Sequence, residues 1–374
     1  MTPTPPSGPG RTALCLCGGG ITGAVYELGV LVALNQFFVD FDTSRFDLYL
    51  GTSAGALMAT MMAAGQSPAA IARSIMDPDA EVKYMPVARG DIYKVEPLEL
   101  ARVARDVVLI LGRFLGRSLR ARELHTRELS MDLEDALPAG LFTMGHYEAW
   151  LTRTFAERGI PRRFTELARE LYITANDLDS GHRTIFGSEG LREVSIPRAI
   201  CASSAIPGFF EPVEIDGRDY VDGAVGKVGH LDVALARGAE LLVVVNPMIP
   251  LDNQGGELPS ALLGARRIRD KGLLAVFEQS RRMNVRTKLH MGLRRYRLQY
   301  PHATILLIEP QDTEVDMMLA NPMNFAVRRR LLRYGYDSAA RHLQERHAEF
   351  AEACARHRIR TDLSALSSRP WELT

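Results

Sequence analysis

This 374-residue chain has no C-x-x-C pair of cysteines and no net charge. Its four cysteines are scattered; they are Cys15, Cys17, Cys201 and Cys354. This pattern argues against a disulfide framework and against a metal site, and it favours a reducing compartment. Lys+Arg and Asp+Glu both number 45, so the overall charge indicates no nucleic-acid partner.

Long apolar runs and a secretion signal are missing as well. No apolar stretch is long enough to span a bilayer, and the first residues, MTPTPPSGPGR, lack a basic segment followed by an apolar one. Their proline and glycine content predicts a disordered tail over residues 1–10. We therefore expect a cytoplasmic protein that is either free or in peripheral contact with a membrane.

Apolar strands that alternate with helices are present instead. Strands are predicted at TALCLC, FDLYL, ELYITAND (Glu170–Asp177), ELLVVVNP (Glu240–Pro247) and TILLIEP (Thr304–Pro310). Helices are predicted from about Gly23 to Phe38, and from the turn Gly51–Gly55 to Gly65. Strands that are apolar throughout, with helices between them, predict a three-layer α/β/α fold around a mostly parallel sheet.

Two regions depart from this alternation. Residues from about 77 to 145 are apolar and then rich in arginine, and we predict a helical insertion there. Residues 323–374 are charged, and they predict a helical C-terminal extension packed on the domain. The main domain would then cover residues 11–322.

The motif GTSAG (51–55) matches G-x-S-x-G between a predicted strand and a predicted helix. In such a sharp turn the serine hydroxyl projects above the sheet, and the glycines admit neighbouring backbone. The N-terminus of the following helix favours negative charge at the site. Ser53 is therefore a candidate nucleophile; the alternative is an ordinary turn in which the serine caps the helix.

Three consecutive glycines, Gly18, Gly19 and Gly20, follow the first predicted strand. Such a turn suits backbone that approaches a ligand closely. If the first two strands are neighbours, its N–H groups would hold the oxyanion of an acyl intermediate beside Ser53. A dinucleotide phosphate loop is the alternative, since GGGITG also matches G-x-G-x-x-G, although the second strand lacks the expected terminal acid.

A serine nucleophile needs a base. Asp222 lies in YVDGAVG, after the predicted hairpin VEIDGRDYV. An aspartate before glycine is commonly a turn residue, but one that reaches Ser53 would act as a general base. His230 follows eight residues later, and the order Ser53, Asp222, His230 would also fit a catalytic triad; otherwise His230 is a capping or surface residue.

Together these motifs resemble the patatin-like phospholipase family. The resemblance rests on the order of a glycine-rich loop, G-x-S-x-G and a later D-G-[GA] element, and it covers most of Arg11–Pro247. The blocks ITANDLDSGHRTIF and CASSAIPGFFEPVEIDGRDYVDGA are also similar to the stretches before the family's aspartate.

The resemblance implies a Ser–Asp dyad that uses no histidine, metal or cofactor. Ser53 would be the nucleophile, Asp222 the base, and the turn Gly18–Gly20 the oxyanion hole. The family's remaining motif glycines would be Gly23, Gly51, Gly55 and Gly223.

The chain departs from the family pattern in three places. Cys17 stands where the family often has an acidic residue, and Thr22 stands where it often has Arg or Lys. The segment GKVGHLDVA lacks the Asn-Pro that is often present there. The missing basic residue weakens the expectation of additional anion stabilisation by the loop.

The function implied by the resemblance is hydrolysis of an acyl ester in a phospholipid or related glycerolipid, with release of free fatty acid. The alternatives are an acyltransferase, an α/β-hydrolase-type esterase that uses a histidine, and a non-catalytic lipid-binding module. The expected partner is a lipid substrate, and no expectation for the oligomeric state follows.

Two basic segments are candidate membrane contacts. Residues 107–122 combine the apolar run Val107–Leu111 with arginines, and they would form either a lipid-binding lid or an ordinary helix packed on the sheet. The run RRMNVRTKLHMGLRRYRLQY lacks regular aromatic interleaving. There we expect a solvated helix face in preference to a contact with anionic lipid.

Overall fold

The structure is a computed structural model that describes residues 10–76, 84, 105, 109, 138–253, 267–311 and 325–366. The predicted insertion at 77–145 and the predicted membrane segment at 107–122 lie almost entirely outside the described residues. So does the predicted N-terminal tail.

The strands are β1 (Arg11–Leu16), β2 (Leu48–Thr52), β3 (Glu170–Asp177), β4 (Arg183–Phe186), β5 (Val213–Ile215), β6 (Arg218–Asp222), β7 (Ala239–Val245) and β8 (Thr304–Ile308). The helices are α1 (Gly20–Phe37), α2 (Ala54–Ala63), α3 (Pro68–Met76), α4 (Gly145–Arg158), α5 (Ile196–Ser204), α6 (Leu231–Leu235), α7 (Leu273–Gln299), α8 (Phe325–Glu345) and α9 (His347–Arg356). Short 3-10 helices occur at Phe164–Glu166, Gly223–Val225, Ile268–Lys271 and Leu363–Ala365. Among the described helices, none is long and apolar enough to cross a membrane.

These strands form a single mixed sheet in the order β5-β6-β3-β2-β1-β7-β8, with β4 paired to β3 outside this path. Strands β3, β2, β1, β7 and β8 are parallel. Strands β4, β5 and β6 are antiparallel to their neighbours. The predicted, mostly parallel sheet is therefore confirmed.

Each parallel strand supplies side chains to two cores, because neighbouring residues of a strand point to opposite faces. In β1, Leu14 and Leu16 join the core formed with α1 to α5 and α8, whereas Ala13 and Cys15 join the core formed with α6 and α7. Both faces of the sheet are thus covered by helices, which confirms the three-layer architecture.

Helix α1 is buried on nearly all sides, which is typical of a helix inside a large core. It packs closely against α8, and a Cβ at Gly29 would lie only 2.3 Å from the carbonyl oxygen of Leu332. The C-terminal helix α8 therefore contributes to the main core. The division of the chain at residue 322 stays a prediction.

The carboxyl edge of the sheet carries the candidate site. The chain adds β2 and β3 on one side of β1, and later adds β7 and β8 on the other side. In open α/β sheets, ligands bind outside the carboxyl ends of the strands at such a reversal of strand order. The glycine turn follows β1, and Ser53 follows β2, so both lie at this edge.

Helix α1 begins at Gly20, three residues before the predicted start at Gly23. The N–H of Gly23 donates to the carbonyl of Gly19 at 3.1 Å, which extends helical bonding into the glycine turn. The N-terminus of α1 therefore lies directly at the candidate site.

Candidate active site

Ser53 occupies a strained turn between β2 and α2. Its backbone has φ 56° and ψ −133°, a combination that residues with a side chain rarely adopt and that is found at functional sites. Its side chain makes no capping hydrogen bond to α2, so the alternative of an ordinary helix cap is wrong. A Cβ at Gly51 would lie 2.4 Å from Cα of Ala56, which explains why this turn contains glycine.

A hydrogen-bond relay from the neighbouring helix holds the Ser53 backbone. The N–H of Ser53 donates to Oγ of Ser203 at 2.8 Å, and that hydroxyl donates to the carbonyl of Thr174 at 2.7 Å. Ser203 is completely buried at the end of α5. Its role was not predictable, because nothing in the sequence links residues 150 positions apart.

The glycine turn lies against Ser53, as predicted for neighbouring strands. Residues of β1 and β2 pair in register, with Leu16 opposite Gly51. A Cβ at Gly18 would lie 2.3 Å from the Thr52 carbonyl and 3.0 Å from Cβ of Ser53. All three glycines have positive φ, at 79°, 115° and 65° for Gly18, Gly19 and Gly20. Only glycine adopts this succession without strain.

The donors of the turn are not equivalent. The N–H of Gly18 donates to Oε1 of Glu27 at 2.8 Å, so this N–H is not free to bind an oxyanion, contrary to the prediction. The N–H groups of Gly19 and Gly20 have no acceptor within the described part of the chain. Two backbone donors of the glycine turn thus remain available to an anionic group.

Glu27 anchors this turn from within α1. Its side chain is fully buried, and burial raises its carboxyl pKa well above the usual value, although the Gly18 N–H opposes this effect. A protonated carboxyl group can still accept the Gly18 hydrogen bond through its carbonyl oxygen. Glu27 was not predicted as a site residue from the sequence; the available signal was an acidic residue inside the otherwise apolar run of α1.

Asp222 ends β6, which pairs with β3 so that Asp222 lies opposite Ala175. Its backbone is fixed on both sides, since its N–H donates to the Ala205 carbonyl at 2.9 Å and its carbonyl accepts from Nδ2 of Asn176 at 2.8 Å. Oδ1 accepts from the Ala224 N–H at 2.7 Å. Oδ2 is buried and has no hydrogen-bond partner among the described residues.

Burial raises the pKa of the Asp222 carboxyl above its ordinary value. Arg281, the Ala224 N–H and the Ser53 hydroxyl lower this pKa, in that order, and Glu278 raises it. The Ser53 hydroxyl is therefore near the carboxyl group, although Oδ2 has no completed hydrogen bond. Hydrogen bonds of catalytic groups are often long in the absence of substrate and shorten when it binds.

Arg281 reaches the site from α7. Its guanidinium forms an ion pair with Glu278 at 2.9 Å, and Nη2 lies 3.7 Å from Sδ of Met248. Met248 in turn covers the glycine turn, because a Cβ at Gly19 would lie 3.0 Å from the same sulfur. A cation thus stands near both Asp222 and the glycine turn, whose own sequence contains no basic residue.

His230 does not take the position of a triad histidine. Its ring is buried, and Nδ1 lies 3.3 Å from Nη1 of Arg183, which itself binds Asp232. Burial, and then the charge of Arg183, lower the pKa of His230 to about 3. The imidazole is therefore neutral, and within the described residues it makes no hydrogen bond to Ser53 or Asp222.

No three side chains of His, Cys, Asp or Glu in the described ranges converge in a way that could hold a metal ion. The glycine turn could accept an anionic group through the N–H groups of Gly19 and Gly20. These donors, Ser53 and Asp222 form one cluster at the carboxyl edge of the sheet.

A family model independently matches the part of the chain that builds this cluster. The model describes patatin-like phospholipases, and it matches residues 14–234. The chain belongs to the patatin-like phospholipase family. The matched range contains both Ser53 and Asp222, whereas α7 with Arg281 lies beyond it.

Solved structures show a weaker likeness to this patatin-like chain. VipD from Legionella pneumophila is 16% identical with a TM-score of 0.39, and the match covers 90% of this chain and 67% of VipD. The type III effector ExoU is 14% identical with a TM-score of 0.38, and the match covers 90% of this chain and 53% of ExoU. A complex of SpcU with ExoU from Pseudomonas aeruginosa gives 15% identity and a TM-score of 0.33, with 54% of that chain covered. This chain thus spans about half the length of ExoU.

Proposed function

We propose that this patatin-like protein is a serine acyl-ester hydrolase that cleaves phospholipids or related glycerolipids through a dyad of Ser53 and Asp222. The observation that carries the proposal is the position of Ser53. It stands in a strained strand-to-helix turn and against the glycine turn, beside a buried aspartate. Within the described residues, Oδ2 of this aspartate and the N–H groups of Gly19 and Gly20 have no hydrogen-bond partner. Membership of the family supports a lipid as the substrate.

In the first step, Oγ of Ser53 attacks the carbonyl carbon of the ester and Oδ2 of Asp222 takes its proton. The carbonyl oxygen becomes an oxyanion, which accepts hydrogen bonds from the N–H groups of Gly19 and Gly20. The N-terminus of α2 adds a favourable field for this negative charge. When the intermediate collapses, the alkoxide leaving group takes the proton from Asp222, and the acyl group stays on Ser53.

In the second step, water attacks the acyl-enzyme and Asp222 takes a proton from that water. The second oxyanion forms at the same two donors and collapses to release the fatty acid, with the proton returned to Ser53. His230 takes no part, because its ring is neutral and faces Arg183.

A panel of phospholipids that differ in head group, incubated with purified protein and analysed for fatty acid and lysolipid, tests this function. We expect fatty acid from the unmodified protein and none above background from Ser53→Ala. Ser204→Ala is the matched control, since the Ser204 hydroxyl is buried without a hydrogen bond to any described residue. Equal product from Ser53→Ala would contradict the proposal, as would the absence of product from both the lipids and a short soluble ester.

The same assay separates hydrolysis from acyl transfer. With an alcohol acceptor such as monoacylglycerol present, a hydrolase releases free fatty acid at an unchanged rate. A transferase would accumulate the acylated acceptor at the expense of fatty acid, and that result would overturn the assignment to hydrolysis.

A further inference from the structure

The outward face of α7 carries six exposed apolar side chains, and the exposed polar residues Ser280, Asn284 and Thr287 lie between them on the same face. We call the following residues the apolar stripe: Leu273, Val276, Phe277, Met283, Met291 and Leu298. At 100° per residue they fall within about 120° of the helix circumference. Leu273, Met291 and Leu298 are the most exposed, at 82%, 66% and 83%.

The opposite face of α7 is the one that packs on the sheet. Val285, Leu289, Leu293 and Tyr296 are buried there in the second core. The helix is therefore apolar on two opposite sides, and the residues that the structure describes cover only one of them. Single exposed apolar residues are ordinary on protein surfaces, but several on one face of a basic helix are typical of a helix that lies on a membrane surface.

The charge of α7 indicates what this surface binds. The helix contains one acidic residue, Glu278, and seven basic residues: Arg281, Arg282, Arg286, Lys288, Arg294, Arg295 and Arg297. Glu278 is already paired with Arg281 and Arg282. The whole chain carries no net charge, so the excess of α7 is local. Its solvent-exposed part comes from Lys288, Arg294, Arg295 and Arg297, and it complements a negatively charged surface.

Exposed arginines flank the apolar stripe. Arg294 and Arg295 are solvent-exposed and lie between Met291 and Leu298 along the helix. Apolar side chains bordered by Lys and Arg are typical of helices that lie in the interface of an anionic bilayer, with the basic groups at the level of the phosphates.

Helix α7 also contacts the segment that follows Asp222 in the candidate active site. Nζ of Lys288 donates to the carbonyls of Val225 and Gly226 at 3.2 and 3.0 Å, directly after the Asp222-Gly223 element. Val225 itself is 47% exposed and adds another apolar side chain beside α7. Arg281 lies on the side of α7 between the apolar stripe and the buried face, and it is near Asp222. A bilayer on this face would therefore lie next to the dyad.

We propose that the outward face of α7 binds the surface of an anionic lipid bilayer, with the apolar stripe inserted among the lipids and Arg294 and Arg295 on the phosphates. The choice of a bilayer as the partner rests on the proposed hydrolysis of lipids. Helix α7 thus performs two functions: it covers one face of the sheet, and it docks the site on its substrate surface.

The test is sedimentation with vesicles of equal parts phosphatidylglycerol and phosphatidylcholine, in the Ser53→Ala background so that no lipid is consumed. One variant combines Phe277→Ser, Met283→Ser and Met291→Ser, and a second combines Arg294→Gln and Arg295→Gln. The control combines Arg153→Gln in α4 with Arg162→Gln shortly after it; both arginines are exposed, and α4 packs on the opposite face of the sheet. Circular dichroism confirms that every variant is folded.

We expect the control to sediment like its parent, and each α7 variant to bind about tenfold less, with added salt weakening the parent in the same way. Equal binding by the parent and the α7 variants would overturn the inference, as would a parent that does not bind. The apolar-stripe variant could instead be a monomer while its parent is a dimer, with unchanged binding to vesicles. That result would show that the face binds a second copy of this chain, and it would also overturn the inference. Since the assay needs no turnover, its result stands apart from that of the hydrolysis assay.

Discussion

The N–H of Gly18 donates a 2.8 Å hydrogen bond to Oε1 of Glu27, a fully buried side chain of α1. This bond fixes the first glycine of the turn, which lies against Ser53. The Ser53 backbone is held in the same way from α5, through Ser203. Both halves of the proposed site are therefore positioned by buried polar side chains that take no part in the reaction.

Glu27→Gln and Glu27→Leu separate the hydrogen bond from the charge. Glutamine keeps an acceptor for Gly18, and we expect near-normal kcat. Leucine leaves the Gly18 N–H buried without a partner, which costs about 1–3 kcal/mol in unfolding free energy, and we expect kcat to fall. Denaturant unfolding and ester kinetics measure both effects. Normal kcat and stability in Glu27→Leu would show that the bond does not position the turn.

The buried carboxyl of Glu27 also makes the free energy of unfolding depend on pH. The Glu27 pKa is raised in the folded state, so the stability from its protonated form is complete at acid pH and is lost as pH rises through the folded pKa. Glutamine does not titrate, and the stability of Glu27→Gln relative to the parent should therefore increase with pH. A constant difference from acid to alkaline pH would contradict the raised pKa.

Gly19→Ala should lower kcat more than it raises KM, because the N–H groups of the turn act on the transition state. The new Cβ would meet Met248 at 3.0 Å with φ at 115°, and we expect a loss of about 10²-fold. Gly20→Ala has open space around it and φ 65°, so its effect should be smaller.

Gly65→Ala is the control for backbone strain, since Gly65 has φ 75° and open space but lies at the far end of α2. It should lose some stability and keep its kcat. If Gly19→Ala retains normal kcat, Gly19 does not belong to the oxyanion hole.

The rate should rise with pH through the pKa of Asp222, because only the ionised carboxylate accepts the Ser53 proton. Burial raises this pKa, and the charge of Arg281 lowers it. Arg281→Gln should therefore move the acid limb of kcat/KM for a soluble ester to higher pH, whereas Arg281→Lys should keep it close to the parent. His230→Gln should leave the limb unchanged, because His230 is already neutral. If the acid limb of the kcat/KM profile lies at the same pH in Arg281→Gln as in the parent, Arg281 does not set the ionisation of Asp222.

Ser53→Ala, Asp222→Asn and the double variant test whether the two residues act as one unit. Each single change should remove most of kcat, and the double variant should be little slower than either. If the fold losses in kcat of the two single variants multiply in the double variant, Ser53 and Asp222 act independently. Thermal unfolding of each variant provides the control for folding.

The carboxyl-edge arrangement was predictable from the sequence, because parallel strands place their following loops at one edge. The neighbouring strands β1 and β2 then bring the glycine turn to Ser53. Asp222 was identified largely through the family resemblance, since Asp-Gly is a common turn sequence and nothing local indicates that β6 pairs with β3.

The supporting residues were not predictable in the same way. Ser203 and Arg281 reach the site from elements distant in sequence, and only tertiary packing brings them there. The role of Gly18 was predicted wrongly, because the buried carboxyl of Glu27 competes for its N–H. The apolar stripe of α7 was hidden for another reason: the buried and exposed apolar faces oppose each other, so the sequence shows no single amphipathic side.

The most direct test of the central claim, that Asp222 activates Ser53 as a nucleophile, is peptide mass spectrometry after reaction with a fluorophosphonate. We predict a covalent adduct on the peptide that contains Ser53, formed at similar rates in the parent and His230→Gln. In Asp222→Asn the rate of adduct formation should fall by about 10²–10⁴-fold. An adduct on another residue, or labelling of Asp222→Asn at the parent rate, would contradict the dyad.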